Sequence, residues 1–478
     1  MAWQRTTDHY FALPADALWA IVGDPTRWPA WSGAIRSFIL EPPSSTYADT
    51  HRSAHSPQAS VGQKGHYLPA RGWAAALHGR TAPALRITQV EPGRALALEQ
   101  PAPGGATRIR WQLSGHPDGG TTLQQQVTVT GPMTPAVVAI VASDIVADWR
   151  ASVTRLYQMI RPEPDRSLLK VVIAGGSGTL GRSLAADLTT RGHDVVLLTR
   201  SVDLDLPHRQ RTWDGATIGA WADELAQDPG NTAVVNLAGR LVDARPSEAN
   251  ITDLRESRVK PTRALVEASQ ALETPLARWV QGSTTAIYSD TGETQVTESS
   301  PLPTGSAALP QMTGVAAPWE AAVQGAHTDH LTILRTSIVL ESGSPAFDRL
   351  AGLTRAGLGG RVGSGRQWFS WIHIDDWLPL VRATLGLEAG VDLPDGILIA
   401  AAPHPVRNAE LMTLLRQHLH RPPAPPTPSA LVRVGSVVLR TDPALGLTGR
   451  HATSELTTDA GFEFTHPTLD GALRDLTS

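Results

Sequence analysis

The stretch VVIAGGSGTLGRSLAADLTTRGHDVVLLTRS, starting at Val171, limits the fold more than any other part of this 478-residue chain. An apolar run enters three glycines spaced G-x-x-G-x-x-G, passes into a helical pattern and leaves through a second apolar run. Strand, tight turn, helix and strand in that order make a unit of a parallel sheet. Each glycine answers a separate demand: Gly175 permits the turn, Gly178 lets a ligand approach the backbone, and Gly181 lets helix and strand pack closely. Ser177, Thr179 and Leu180 fill the rest of the loop, at the positive end of the helix, a place suited to a pyrophosphate. A glycine motif alone is weak. With both strands and the helix in place, dinucleotide binding is favoured over a purely structural turn.

The end of the second strand selects the dinucleotide. An acid there would bind a ribose 2′-hydroxyl and repel a 2′-phosphate. This chain has Thr199, Arg200 and Ser201 instead, a guanidinium and two hydroxyls that suit a phosphate dianion, so NADP(H) is expected. Asn236, Leu237, Ala238 and Gly239 end the next strand, where small residues let the chain pass beside the dinucleotide.

From residue 168 to 478 apolar strands alternate with helical stretches, the texture of a doubly wound parallel sheet. Before it, RPEPDRS (161–167) is polar, holds two prolines and reads as a linker. Residues 1–160 have a different texture. ALRITQVEPGRALALEQ and TRIRWQLSGHPDGGTTLQQQVTVTG alternate in period two around Pro-Gly and Asp-Gly-Gly turns. A long helix is expected after them, because Val138, Val141, Ile145, Trp149, Val153, Leu156 and Ile160 recur every three or four residues. Trp19, Trp28, Trp31 and Trp111 read either as core filling, the favoured reading, or as walls of an apolar ligand cavity.

Composition narrows the classes. A net charge of −4 argues against nucleic-acid or membrane-surface binding through bulk charge. The absence of cysteine excludes disulfides, thiol catalysis and thiolate-bound metals. The start MAWQRTTDHYFALP lacks a long apolar run, and PAVVAIVASDIVADW is too short to span a bilayer, so a cytoplasmic location is expected.

Two resemblances sharpen this reading. PADALWAIVGDPTRWPAW and the strands after it resemble the START-like, polyketide-cyclase-like helix-grip superfamily, which implies a curved antiparallel sheet around a C-terminal helix and a small apolar ligand. VVIAGGSGTLG, VVNLAG, ESRVKPTRALVEA, GSTTAIYSDTGE, LRTSIVL and GLGGRVGSGRQWFSWIHIDD resemble the extended short-chain dehydrogenase/reductase family. Within it they are most similar to an epimerase-like subfamily, "nucleoside-diphosphate-sugar epimerase, SulA family". The implied fold class is α/β, a Rossmann-type sheet preceded by an α+β helix-grip domain.

That family works with a Tyr-x-x-x-Lys pair, whose lysine lowers the tyrosine pKa so that the phenol can shuttle a proton during hydride transfer. Here Met312 and Ala316 fall at those positions, and none of the five tyrosines has a lysine four residues on. The resemblance leaves Thr284 and Tyr288 as catalytic candidates, with Ser283 beside the nicotinamide and Lys260 as a further nearby group. Tyr288 is read more readily as an aromatic wall than as a proton donor, since no cation is placed by sequence to tune it. Phe369 takes the place of the diphosphate-gripping arginine of nucleotide-sugar epimerases. Arg366 is the substitute candidate for the small-molecule substrate, with Arg361 and Arg407 behind it. His373 is expected to be packed rather than basic, Asp375 and Asp376 to cap a helix from Trp377, and no metal site is expected. Two functions follow: an NADP(H)-dependent oxidoreductase or epimerase with an atypical proton donor, or a dinucleotide-binding redox sensor with an apolar ligand in its first domain.

Overall fold

The computed structural model describes residues 2–41, 59–69, 83–102, 104–117, 119–138, 142–242, 245–439 and 442–477. Seven strands form the first sheet: β1 (Ala2–Phe11), β2 (Ile35–Leu40), β3 (Lys64–Pro69), β4 (Leu85–Glu91), β5 (Ala95–Ala102), β6 (Gly105–Gly115) and β7 (Thr121–Thr130). They run antiparallel in the order β1-β7-β6-β5-β4-β3-β2, a meander closed at one edge by β1 against β7. The sheet curls into a half-barrel. Period-two patterning sets its inner face: Leu123, Val127 and Val129 on β7 and Ile109, Trp111 and Leu113 on β6 are buried.

Against this face lies the helix Trp149–Ile160, which buries Trp149, Val153 and Leu156. The single long helix expected from the sequence is interrupted. Ser143–Ala147 is helical, then Asp148 forms a turn before Trp149. The Asp148 carboxylate is held by the Gly33 N–H at 2.8 Å, by Ser152 and by Arg155, so it anchors the junction to the rest of the domain. Val141 lies outside the described residues. Trp28 meets Phe38 and Trp111 edge to face at 4.8 and 4.9 Å, and Trp31 meets Trp111 at 5.7 Å. These rings are core, as the favoured reading of the sequence had it.

The second sheet is parallel throughout. Its strands lie in the order Arg209–Thr212, Asp194–Thr199, Lys170–Ala174, Thr232–Asn236, Arg278–Thr284, Leu331–Thr336, Gly396–Ala400. Lys170–Ala174 and Thr232–Asn236 are buried at every residue, which explains their unbroken apolar runs. Each fully buried Val, Leu or Ile contributes about 1.5–3 kcal/mol. That exceeds the roughly 1 kcal/mol spread of strand propensities, so burial on both faces governs these segments.

The strand order reverses between Lys170–Ala174 and Thr232–Asn236, and in open α/β sheets the ligand crevice lies beyond the strand ends at that point. Three two-stranded ribbons accompany the sheet. Ile338–Leu340 pairs with Trp371–His373, Trp368–Phe369 with Val406–Arg407, and Gln295–Val296 with His451–Ala452. The last brings the chain near residue 450 against the segment that follows the Arg278–Thr284 strand.

Candidate functional site

Gly175 turns the chain with φ +76°, and a side chain there would come within 2.7 Å of the Leu237 carbonyl. Gly181 is equally constrained, since an added Cβ would meet Gly176 Cα at 2.6 Å; its close approach is to the loop itself. At Gly178 an added Cβ would meet only the Gly175 oxygen, at 3.3 Å. That side of the loop is open, and Gly178 and Thr179 are exposed. The helix Thr179–Thr190 begins there without a side-chain cap, so its first N–H groups face outward at the positive end of the dipole. Ser177 uses its carbonyl to hold Arg182, and Leu180 packs beneath the loop. The cradle fits a pyrophosphate.

At the next strand end, Thr199 is buried and its hydroxyl donates to the Ser201 carbonyl at 2.7 Å, so it shapes the turn instead of facing a ligand. Arg200 and Ser201 are exposed, and among the described residues Arg200 has no ion-pair partner. Asp203, an acid close by, is paired with Arg182 at 2.9 Å. The helix Trp149–Ile160 braces the loop that follows: Arg155 donates to the Asp205 carbonyl and Gln158 to the Pro207 carbonyl, at 2.8 and 2.9 Å.

Asn236 spends its whole side chain on the turn. It donates to Thr262 and Gln281 and accepts from the Ala238 N–H at 3.1 Å. Leu237 donates its N–H to the Ala174 carbonyl, which joins the two strand ends of the crevice. Gly239 is exposed with Arg258 alongside, at 3.0 Å from where a Cβ would lie. Lys260 is on the surface, paired with Glu256.

The catalytic candidates separate. Tyr288 is 2 % exposed. Its hydroxyl donates to the Thr297 carbonyl at 2.8 Å and accepts from Arg335 at 2.7 Å. Burial pushes its pKa up, against the Arg335 guanidinium. The Tyr288 hydroxyl thus has a partner on each side, and the cation beside it comes from a strand 47 residues away. Arg335 also grips Glu320 with two bonds of 2.8 Å, and Glu320 accepts from Ser283 at 2.5 Å. Ser283 therefore belongs to a closed, buried network.

Thr284 differs. Its Oγ1 accepts from the Ala286 N–H at 3.2 Å, and it lines a cleft at the strand ends together with Ser337, Ile338, Phe369, Leu445, Thr448 and Arg450. Met312 and Ala316 are buried near this network, and Met312 Sδ lies 3.5 Å from Arg450. The sequence reading missed Arg450, because neither spacing nor motif connects it to Thr284; only the Gln295–Val296/His451–Ala452 ribbon does. Arg366, the substrate candidate, is an exposed side chain paired with Glu293, which also binds Arg407.

His373, Asp375, His466 and Asp475 place their ligand atoms within 4.8 Å of one another, a cluster that sequence spacing did not show. His373 caps the helix Ile374–Thr384: its Nδ1 accepts from the Asp375 N–H at 3.2 Å. The other ring nitrogen, Nε2, faces Asp475 at 3.4 Å. The cap is His373, not Asp375 or Asp376, because the helix starts three residues before Trp377. Asp376 instead accepts from the Thr465 and His466 N–H groups, and burial raises its pKa to about 6.

The parallel sheet, its reversal point and the open glycine loop define a Rossmann-type α/β protein. Residues 171–310 match the NAD dependent epimerase/dehydratase family, and residues 427–476 match a domain of unknown function, DUF1731. The chain is 31% identical to the epimerase family protein SDR39U1 of Homo sapiens, over 64% of this chain and 99% of that protein. It is 32% identical to the epimerase family protein Mb2239 of Mycobacterium bovis, over 63% and 96%. The crystal structure of human SDR39U1 with NADPH superposes with a TM-score of 0.54 at 30% identity, covering 65% of this chain and 99% of that one. A nucleoside-diphosphate sugar epimerase structure from Corynebacterium glutamicum covers 99% of this chain and 90% of its own, with TM-score 0.56 and 21% identity, a likeness of fold that spans both sheets. The chain belongs to the epimerase family of NAD(P)-binding, short-chain-dehydrogenase-like proteins. Among the described residues no helix is long and apolar enough to cross a membrane.

Proposed function

We propose that this chain binds NADP(H) along the strand ends and acts as an atypical extended short-chain dehydrogenase/reductase on a small molecule. The observation that carries the proposal is the open side of Gly178 above an uncapped helix N-terminus, with Arg200, without an ion-pair partner among the described residues, at the next strand end. The NADPH in the human relative's structure supports the same choice. Gly175, Ser177, Gly178, Thr179, Leu180 and Gly181 would hold the pyrophosphate, Arg200 and Ser201 the 2′-phosphate, and Leu237 to Gly239 the path toward Thr284. Bound there, the dinucleotide supplies a hydride donor or acceptor.

The chain's own contribution to proton transfer is small. Tyr288 and Ser283 are consumed by Arg335, Glu320 and the Thr297 carbonyl, and Met312 and Ala316 cannot ionise. Losing a general acid typically lowers a rate by about 10²- to 10⁴-fold. This favours a second reading, a redox sensor whose first domain has the helix-grip fold and takes an apolar ligand. We also read the chain as cytoplasmic and of the SulA-type subfamily. Purified protein mixed with NADPH and a panel of ketones, oxo acids and nucleotide sugars tests the readings. Tight NADPH binding with slow or no oxidation of nucleotide sugars and simple ketones is expected. Rapid nucleotide-sugar turnover would contradict the atypical site.

A further inference from the structure

We infer that the cleft between Thr284 and the residue-450 segment is a binding site for a small organic carboxylate, and that Arg450 is its specificity-determining residue. This rests on the dinucleotide reading above, since the cleft opens at the same strand ends. Arg450 lines the cleft, yet its Ser289, Thr448 and Met312 contacts all run from Nη1. Nη2 and Nε make no hydrogen bond, and the guanidinium has no salt-bridge partner, among the described residues. Asp290 and Asp442 act on it only at a distance, and burial lowers its pKa. By contrast, the buried Arg335 and Arg382 each sit on a carboxylate.

Arg450 is half-buried, and with its counter-charges only at a distance its free nitrogens are left to an anion entering the cleft. A planar fork with its Nε–Nη2 edge free is matched best by a carboxylate. One guanidinium balances one negative charge, so a monoanion fits the cleft better than a phosphate dianion, which would leave a charge unmatched beside Ile338, Phe369 and Leu445. Thr284 adds a neutral donor: its Oγ1 accepts from Ala286, and its own proton is unspent among the described residues. Ser337 and Ser370 offer none, because their hydroxyls donate to the carbonyls of Ala400 and Arg450.

Calorimetry on the full chain, with and without NADPH, tests this using matched pairs: oxamate against oxamide, benzoate against benzamide, and inorganic phosphate. At least one acid should bind about tenfold or more tighter than its amide and than phosphate. In Arg450→Met that preference should vanish while NADPH binds as before; in Arg450→Lys it should fall several-fold. The wild-type comparison stands even if Arg450→Met fails to fold. Acids binding no better than their amides, or an acid preference surviving in a folded Arg450→Met protein, would overturn the inference. Loss of NADPH binding by wild type would instead strike the dinucleotide reading, and the acid-amide comparison without NADPH would still judge the cleft.

Discussion

At the scale of single residues, Tyr288 shows how a position can be found while its partners stay hidden. The resemblance put it at the end of the correct strand, but a phenol's function depends on what its oxygen touches. Arg335 and the Thr297 carbonyl are brought there by the sheet, and no local pattern announces them. Arg450 was illegible for the same reason: it reaches Met312 across 138 positions. Removing the Tyr288 hydroxyl leaves the buried Arg335 Nη1 and the Thr297 carbonyl without that partner. An unsatisfied buried group costs about 1–3 kcal/mol. Tyr288→Phe should therefore lower unfolding stability by that amount in denaturant titration, with the NADPH dissociation constant changed by less than about threefold. Unchanged stability combined with lost turnover would restore Tyr288 as a proton donor.

Among the elements, the glycine loop was readable because its demands are local. Turn, approach and close packing are all asked of seven residues, 175–181, and at Gly175 and Gly181 an added Cβ would collide with backbone. The two kinds of glycine make a sharp contrast in prediction. Gly178→Val should fold, since its side chain projects toward open space, and lose NADPH binding by calorimetry. Gly175→Val should lose stability by about 1–3 kcal/mol or more, because φ +76° is strained for a β-branched residue and the Leu237 carbonyl is in the way. Circular-dichroism melts distinguish the two; equal melting of both variants would contradict the geometry. The helix interrupted at Asp148 was not readable, because the apolar period continues through the junction while the Gly33 contact that fixes it lies 115 residues away.

On the scale of the whole molecule, the two sheets are joined through the helix Thr179–Thr190. His9 meets Thr190 at 2.9 Å, Arg191 lies over the Tyr10 ring, and Arg5 donates to the Asp475 carbonyl. Burial lowers the His9 pKa to about 3, with Asp187 opposing and Arg150 and Arg191 assisting the shift. Unfolded His9 gains a proton near pH 6.5 and the folded residue does not. Its contribution is thus intact above pH 6.5 and is lost as pH falls toward 3. Buried His208, held to about 4, acts in the same direction, while Asp376 acts oppositely below about pH 6. His9→Gln should melt with a shallower acid decline than wild type between pH 6.5 and 4; parallel curves would show that His9 is not buried neutral. The brace on the 205–207 loop gives the first domain a hold on the second: Arg155→Ala/Gln158→Ala should weaken NADPH binding several-fold, read by calorimetry.

The central claim is that the open glycine loop and Arg200 hold NADP(H). Calorimetric titration of wild type and Arg200→Asp with NADPH and NADH tests it directly. The account predicts that wild type binds NADPH at least about tenfold tighter than NADH, a difference of about 1.4 kcal/mol, and that Arg200→Asp loses this preference. Equal affinity of wild type for the two dinucleotides, or an unchanged preference in Arg200→Asp, would contradict it.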